Sequence, residues 1–389
     1  MAHKFELSAY ASLWKDKAVV TKILNDPYLV RSNHTFWRED FDVDPNITET
    51  NAEGEAVYTS RMRRLETGYL MDMRAPLGDS VPEDLRGMEA YQGTIQEFIS
   101  KGYVETAELR DYKRRLFAEI GDAALVQRFV ENVVQPRIDS ANQTLSNMAA
   151  QIISTGKIIY NQGVGMKGSI TKAAIPAENF LKAGEEVWSN ADAPILDQMR
   201  TLQKKAYELA GIEFAGQWKI TRKMFENVFL KNEQVINLIK DGYLLESGQI
   251  GVGTTNLTPL VVNEENFNKY ISKVQGLAPI VIVDEKQKDF VNGTVNGWKE
   301  GVAVFCPQGK LGLIRRTTIA DTRLFSSEYT NPNVQFVFGT ALDGCAFLRN
   351  SVVPNGVLKE WHSDLVLAAT PSLEEFLYHF IIDTTTADI

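Results

Sequence analysis

The amino-acid sequence predicts an α+β protein, in which a helical middle portion lies between regions of short strands. Apolar residues recur every three or four positions along ALVQRFVENVVQPRIDSANQTLSNMAAQIISTG, which indicates a long helix. Short runs typical of strands follow from residue 278 onward. These runs are APIVIVD, GVAVFCP, KLGLIRRTTI, NVQFVFG, CAFLRNSVV, DLVLAA and EFLYHFIID.

Composition limits the classes of protein that this chain can represent. Its 389 residues, 44% hydrophobic and 23% charged, fit an ordinary globular protein of two or three domains. A formal net charge of −9 argues against a dedicated nucleic-acid binder, which would show a concentrated basic face. We expect Cys306 and Cys345 to be buried small hydrophobes. The sequence also shows neither a secretory signal nor a run long enough to span a membrane.

The first 55 or so residues predict an extended arm that ends in the acidic stretch REDFDVDPNITETNAEGE. Its aspartates have the spacing of a calcium loop, but Pro45 stands where that loop requires glycine. We therefore interpret the stretch as a solvated acidic turn.

A projecting ribbon is predicted next. The residues from Met71 to Arg74 alternate between apolar and charged, as a strand does, and Pro76, Gly78 and Pro82 then favour a return of the chain. A ribbon with charged faces and few neighbours in sequence usually buries those faces against another chain.

Helical signals dominate from about 92 to 155, and the segment TAELRDYKRRLFAEI contributes to them. Pro136 is expected to kink the long helix or divide it in two, and Gly156 to end it.

Two further helices are predicted after this point. The first starts after Asp192 and Pro194 and ends at Gly211. The second, TRKMFENVFLKNEQVINLIKDG, is expected to be capped by Thr221.

The stretch TGKIIYNQGVGMKG contains Gly163, Gly165 and Gly168 in the G-x-G-x-x-G spacing of dinucleotide-binding turns. Such a turn needs a helix directly after its glycines, whose N-terminus faces the phosphates. Here SITK favours a strand, and Pro176 limits any helix to less than two turns. The sequence therefore favours a β-hairpin in which KIIY pairs with SITK.

No other pattern indicates catalysis, cofactor binding or metal binding. His3, His34, His362 and His379 lack metal-ligand spacing, and no nucleophile with its base can be proposed. Short basic clusters such as Arg315 with Arg316 are expected to pair with acidic neighbours or with a partner subunit.

A family resemblance becomes visible in the region from about 145 to 200. A long helix ending in Thr155-Gly156-Lys157, a hairpin, Trp188 and the helix start ADAPI followed by Asp197 resemble the lambda-type major head protein family of tailed bacteriophages. The extra Ala193 departs from the commoner ADPI of that family.

The resemblance implies the Hong Kong 97-type capsid fold. Five parts are expected: an N-terminal arm, an extension loop, a peripheral domain with a spine helix, an axial domain and a return to the peripheral domain. Their expected boundaries are 1–54, 55–91, 92–188, 189–315 and 316–389. Within the extension loop, we expect these residues to contact a neighbouring subunit: Arg61, Arg63, Arg64, Asp72 and Arg74.

The function implied is that of a structural major capsid protein, which is not an enzyme and needs no cofactor. Hexamers and pentamers of the chain would form an icosahedral head shell around dsDNA, bound nonspecifically, in the virion. Expected partners are a separate scaffolding protein, a portal and decoration or head-auxiliary proteins, with assembly in the host bacterial cytoplasm and no membrane. Two alternatives remain: an encapsulin-like nanocompartment shell protein and a nucleotide-using α/β enzyme.

Overall fold

The fold is described from a computed structural model, which covers most of the chain. The described residues are 21–22, 24–25, 35–51, 55–61, 90–100, 103–104, 131, 134–160, 169–247, 264–284, 287–289, 293–318, 335–355 and 358–387.

Helices and strands both contribute extensively, which confirms the predicted α+β class. The helices are α1 (Trp37–Asp40), α2 (Gln135–Thr155), α3 (Ile195–Ala210), α4 (Arg222–Asn227), α5 (Glu233–Ser247) and α6 (Glu264–Gln275). The first strands are β1 (Phe41–Thr48), β2 (Ala56–Arg61), β3 (Ala90–Ile95), β4 (Glu97–Ser100), β5 (Tyr103–Val104), β6 (Lys157–Tyr160), β7 (Ser169–Lys172), β8 (Phe180–Ala183) and β9 (Gly216–Thr221). The remaining strands are β10 (Ile280–Val283), β11 (Gln287–Asp289), β12 (Gly293–Val295), β13 (Val302–Pro307), β14 (Gly312–Thr317), β15 (Gln335–Ala341), β16 (Ala346–Asn355), β17 (Leu358–Leu373) and β18 (Phe380–Ala387).

A five-stranded sheet of order β10-β9-β13-β18-β8 separates two hydrophobic cores. Successive side chains of β13 point to opposite faces, and all six residues of this strand are buried. Ala303 and Phe305 belong to the core that contains helices α3 to α6. Val304 and Cys306 belong to the core that contains α2. The apolar run GVAVFCP is thus continuous because both of its faces are covered.

The second sheet has the order β1-β14-β17-β16-β15, with β4 and β5 also paired to β17. The long strand β17 pairs with β16 over its first part and with β14 over its last part. Helix α2 packs against β17 and buries Ile138, Leu145 and Ile152. The seven-stranded sheet and the long helix therefore form one packed unit.

The predicted long helix begins at Gln135, with Pro136 in its first turn. Proline fits this position because the first N–H groups of a helix have no partner inside it. Pro136 therefore lies at the start of α2. Gly156 ends the helix at φ 67, as expected for a residue in the left-handed region.

The predicted hairpin is confirmed. Strand β6 pairs antiparallel with β7, and Lys157 lies opposite Lys172. A dinucleotide-binding turn would connect a strand to a helix, whereas strands flank this segment on both sides. The three glycines of the motif lie at 161–168, outside the described residues.

The helical prediction for 92–155 is wrong at its beginning, where residues 90–95, 97–100 and 103–104 form strands. Strand β3 pairs with β2, while β4 and β5 pair with β17. Pairing with strands distant in sequence overrides the local preference. The segment TAELRDYKRRLFAEI lies outside the described residues.

The predicted helix after Thr221 is two helices. Thr221 caps α4, since its Oγ1 accepts a hydrogen bond from the N–H of Met224 at 3.2 Å. Asn232 then interrupts the run. Its Oδ1 accepts from the N–H of Val235 at the start of α5, and its Nδ2 donates to the carbonyl oxygens of Ala191 and Ala193. The side chain of Asn232 thus starts one helix and holds the turn that leads into another.

Helix α3 is capped from outside its own segment. Pro194 is its N-cap residue and provides no side-chain hydrogen bond. Instead, Gln234 of α5 accepts a hydrogen bond from the N–H of Leu196 at 2.8 Å and donates one to Asp197 at 2.6 Å. The predicted start after Asp192 is therefore right in position, but a glutamine on another helix supplies the cap.

Replacing Gln234 tests this long-range cap. We expect Gln234→Ala to lower the free energy of unfolding by about 0.5–2 kcal/mol, as the loss of a helix cap does. Urea titration measures the change. The exposed Lys240→Ala on the same helix is the matched control, and an equal loss in both variants would rule out the cap as the cause.

Candidate assembly surface

The β2–β3 ribbon is attached to the rest of the protein along one face. On β2, Ala56, Tyr58 and Ser60 are buried, while Thr59 and Arg61 are exposed. This alternation follows from the two-residue period of a strand. One face of the ribbon is therefore fixed to the protein, and the other remains available.

Specific contacts fix the buried face. The hydroxyl of Ser60 donates a hydrogen bond to the carbonyl oxygen of Leu373 at the end of β17, at 2.8 Å. The Tyr91 ring lies edge-to-face against Phe376, with centroids 5.5 Å apart. Burial raises the pKa of the Tyr91 hydroxyl above its ordinary value. A Cβ atom on Gly93 would overlap the Tyr58 ring, so this close approach requires glycine.

The acidic stretch before the ribbon is not the solvated turn that the sequence suggested. It forms β1, which pairs parallel with β14. Alternate aspartates on the stretch each meet a cation. Asp40 contacts Lys219 at 2.6 Å, Asp42 contacts Lys310 at 3.3 Å and Asp44 contacts Arg315 at 2.5 Å.

Arg315 and Arg316 hold β1 in place. Arg315 pairs with acidic side chains, as predicted, whereas Arg316 donates to backbone carbonyl oxygens. Arg315 bridges Asp44 and Glu374, the latter at 2.8 Å. Arg316 donates to the backbone carbonyl oxygens of Asp44 at 2.9 Å and Pro45 at 2.8 Å. Charge-assisted bonds of this kind are stronger than neutral ones, so they fix the segment that leads into the ribbon.

Five large apolar side chains are exposed elsewhere on the described surface. They are Ile47 at 53%, Ile99 at 51%, Phe180 at 45%, Leu209 at 44% and Ile159 at 42%. Single exposed apolar residues are common on protein surfaces and do not by themselves define an interface.

Both cysteines and His379 are buried. Both cysteines are free and buried, as predicted, and burial raises the pKa of each thiol to about 12. His379 is fully buried, with its Nε2 at 2.7 Å from the carbonyl oxygen of Ile153. Within the described ranges, no group of three or more His, Cys, Asp and Glu residues could hold a metal ion.

The buried histidine makes stability depend on pH. Burial lowers the pKa of His379 to about 4, and the positive charge of Lys219 also lowers it, by a smaller amount. A histidine in the unfolded chain titrates near about 6.5. The unfolded chain therefore binds a proton that the folded protein does not, and stability falls as pH falls from about 6.5 to about 4.

We expect the free energy of unfolding to change by at most about 1.4 kcal/mol per pH unit between about pH 6.5 and about pH 4. Chemical unfolding of the wild type and of His379→Gln across this range measures it. The wild type should lose stability relative to the variant as pH falls, and parallel curves would contradict the assignment.

Only one predicted contact residue can be placed. Arg61 lies exposed at the end of β2, opposite Ala90 on β3. Arg63, Arg64, Asp72, Arg74 and the strand predicted from Met71 to Arg74 lie outside the described residues. The assignment of these residues to an inter-subunit contact stays a prediction.

The cations that fix β1 were not singled out as site residues. The period-2 spacing of Asp42 and Asp44 was the available signal, because alternate residues of a strand share one face. Asp40 lies at the end of α1 instead. Their partners lie far away in sequence, so spacing alone could not identify them.

None of the helices described is long and apolar enough to cross a membrane. No family model matches the chain, and no curated protein sequence does.

Solved structures similar to this chain include capsid proteins of phages and an encapsulin. A prophage protein of E. coli CFT073 that is assigned as a capsid protein is 14% identical, with a TM-score of 0.48 over 76% of this chain and 79% of that one. The mature capsid of bacteriophage PhiM1 is 12% identical, with a TM-score of 0.40 over 90% and 86%. The holo-SrpI encapsulin complex from Synechococcus elongatus PCC 7942 is 8% identical, with a TM-score of 0.36 over 90% and 88%.

Proposed function

We propose that this chain is the structural major capsid protein of a tailed bacteriophage. In this proposal, hexamers and pentamers of the chain form an icosahedral head shell that encloses the dsDNA genome. A separate scaffolding protein acts during assembly, and a portal and decoration proteins complete the head.

The observation that carries the proposal is the structural role of the residues behind the family resemblance. Gly156 ends α2 in the left-handed conformation, and its carbonyl oxygen accepts a hydrogen bond from the N–H of Ala173 just after β7. Trp188 is 1% exposed and packs against Trp218 and Phe229. Ala193 is fully buried, and its carbonyl oxygen is held by Asn232. The resemblance therefore rests on residues that join the long helix, the hairpin and the helix-rich core.

The ribbon supports assembly into a shell. Its base is fixed by Ser60 and Tyr91, and one face of β2 is exposed up to Arg61. A two-stranded ribbon is marginally stable alone, so burial of this face against a neighbouring copy would stabilise both subunits. In a closed shell the same contact repeats around every symmetry axis.

The net charge suits a container for DNA. A chain with a formal charge of −9 repels the phosphate backbone overall. Packaged DNA then remains free to move, whereas a strongly basic lining would bind it through many phosphate contacts.

Electron microscopy of the purified protein tests the proposal. Negative staining should show uniform shells, or hexamers and pentamers, and shells should form efficiently only when a scaffolding protein is coexpressed. A chain that stays monomeric under both conditions would contradict the shell function. Shells that enclose an enzyme and no DNA in infected cells would instead indicate a nanocompartment.

A further inference from the structure

The β6–β7 hairpin carries two positive charges side by side. Lys157 lies directly opposite Lys172, and both side chains are exposed. Residues opposite each other in an antiparallel pair share one face, with their Cβ atoms about 4.5–5.5 Å apart. Two ammonium groups in this arrangement repel each other, so the pair destabilises the isolated subunit.

A second like-charge pair, of opposite sign, lies at the base of the β2–β3 ribbon. Thr50 bridges antiparallel to Ala56, and the N–H of Asn51 donates a hydrogen bond to the carbonyl oxygen of Glu55 at 2.8 Å. This register makes Glu49 and Glu55 diagonal neighbours on one face, about 7–8 Å apart. Both glutamates are exposed.

The acidic pair belongs to the exposed face of the ribbon. Side chains alternate along β2, so Glu55 lies on the side of the exposed Thr59 and away from the buried Tyr58. The inference rests here on the proposed function, in which this face lies on a neighbouring copy. A surface that receives the face has to offset the two negative charges.

The subunit itself does not neutralise either pair within the described ranges. None of the four side chains makes a salt bridge there. A contact with opposite charges therefore has to come from outside this set of residues.

An exposed isoleucine accompanies each pair. Ile159, two residues after Lys157 on the same strand face, is 42% exposed, and Ile47, two residues before Glu49, is 53% exposed. We call Lys157, Lys172 and Ile159 the basic patch, and Glu49, Glu55 and Ile47 the acidic patch. Each patch thus combines apolar area with a single sign of charge.

We propose that the acidic patch of one copy docks on the basic patch of a neighbouring copy. The contact places each like-charge pair against charges of the opposite sign, and the two isoleucines lose exposed area to it. Complementary charge of this kind sets the register of an interface and excludes wrong partners. Because the two patches differ, the contact is heterologous, and heterologous contacts close into rings such as hexamers and pentamers.

Charge reversal tests the contact in the full-length chain coexpressed with its scaffolding protein. The double variants Lys157→Glu with Lys172→Glu, and Glu49→Lys with Glu55→Lys, should each lower the yield of shells by about tenfold or more, since like charges then meet across the interface. Sedimentation velocity and negative-stain microscopy measure the yield. Each variant keeps a like-charge pair within the subunit, so the unassembled subunit should unfold at the temperature of the wild type.

Combining all four reversals restores opposite charges across the interface. The quadruple variant should regain most of the wild-type yield of shells. Lys204→Glu with Lys205→Glu, on the exposed side of α3, changes the net charge as much as reversal of the basic patch does. This control should assemble normally, and a loss as large as that of the basic-patch variant would contradict the proposal.

The single variant Lys172→Glu separates assembly from subunit stability. Lys157 then faces an opposite charge within its own hairpin, so the unassembled subunit should unfold at a higher temperature while the yield of shells falls. A yield that stays at the wild-type level would count against the contact.

The outcomes distinguish this contact from the shell function. Wild-type shells together with unchanged assembly of both double variants overturn the contact alone, as does a quadruple variant that regains no assembly. A wild-type chain that forms neither shells nor capsomers with its scaffolding protein overturns the proposed function and the contact with it.

Discussion

Lys219→Met should lower the free energy of unfolding by about 3–5 kcal/mol, as removal of one partner from a buried charge pair does. The Asp40 side chain, which is 2% exposed, would then lose its ion-pair partner. Burial lowers the pKa of the Lys219 amine, but Asp40 together with Cys306 and Glu39 raises it, and the pKa lies above its ordinary value as a result. Guanidinium unfolding followed by fluorescence measures the loss.

Matched variants identify the cause. Lys223→Met removes a lysine of the exposed pair with Glu300 and should change stability by about 0.5 kcal/mol or less. The double variant Lys219→Met with Asp40→Leu should regain a large part of the loss, because no charge remains buried. A double variant that is less stable than Lys219→Met would show that lost packing, not an unpaired charge, explains the effect.

Replacing residues 62–89 with a short Asn-Gly turn should abolish shell formation and leave the subunit folded. Arg61 and Ala90 lie opposite each other in the ribbon, so a tight turn can close it. Ser60 contacts Leu373, and Tyr91 contacts Phe376. These residues lie outside the replaced segment, so both contacts stay intact. Sedimentation velocity and electron microscopy would show the loss of assembled particles.

Thermal unfolding of the shortened subunit provides the control. Its unfolding temperature should stay within a few degrees of that of the unassembled intact chain, because the two cores do not change. If the shortened protein forms shells as readily as the intact one, the extension loop is not an assembly contact. If it fails to fold, the ribbon belongs to the core of the subunit.

Local signals sufficed where one segment determines its own structure. The end of α2 at Gly156 follows from the conformational freedom of glycine. The hairpin follows from the runs KIIY and SITK, which became β6 and β7 without change. The cap at Thr221 needs only its own hydroxyl and the N–H of Met224. The sequence predicted these three features because their causes lie within a few residues.

Contacts between residues that are distant in the sequence could not be predicted from the sequence. Residues 97–100 form β4 only because β17 pairs with them, from more than 250 positions later in the chain. Asp44 is fixed by Arg315, which also lies far away in the sequence. Gln234 caps α3 from another helix. Sequence spacing describes neighbours along the chain, so contacts between such distant residues had to come from the fold.

Cryo-electron microscopy of the assembled particles tests the shell function most directly. The proposed function predicts a closed icosahedral shell in which the exposed face of each β2–β3 ribbon lies on a neighbouring copy, with the chain at both five-fold and six-fold positions. Purified protein that forms no closed shell even with its scaffolding protein, or particles whose ribbons contact only their own subunit, would contradict this account.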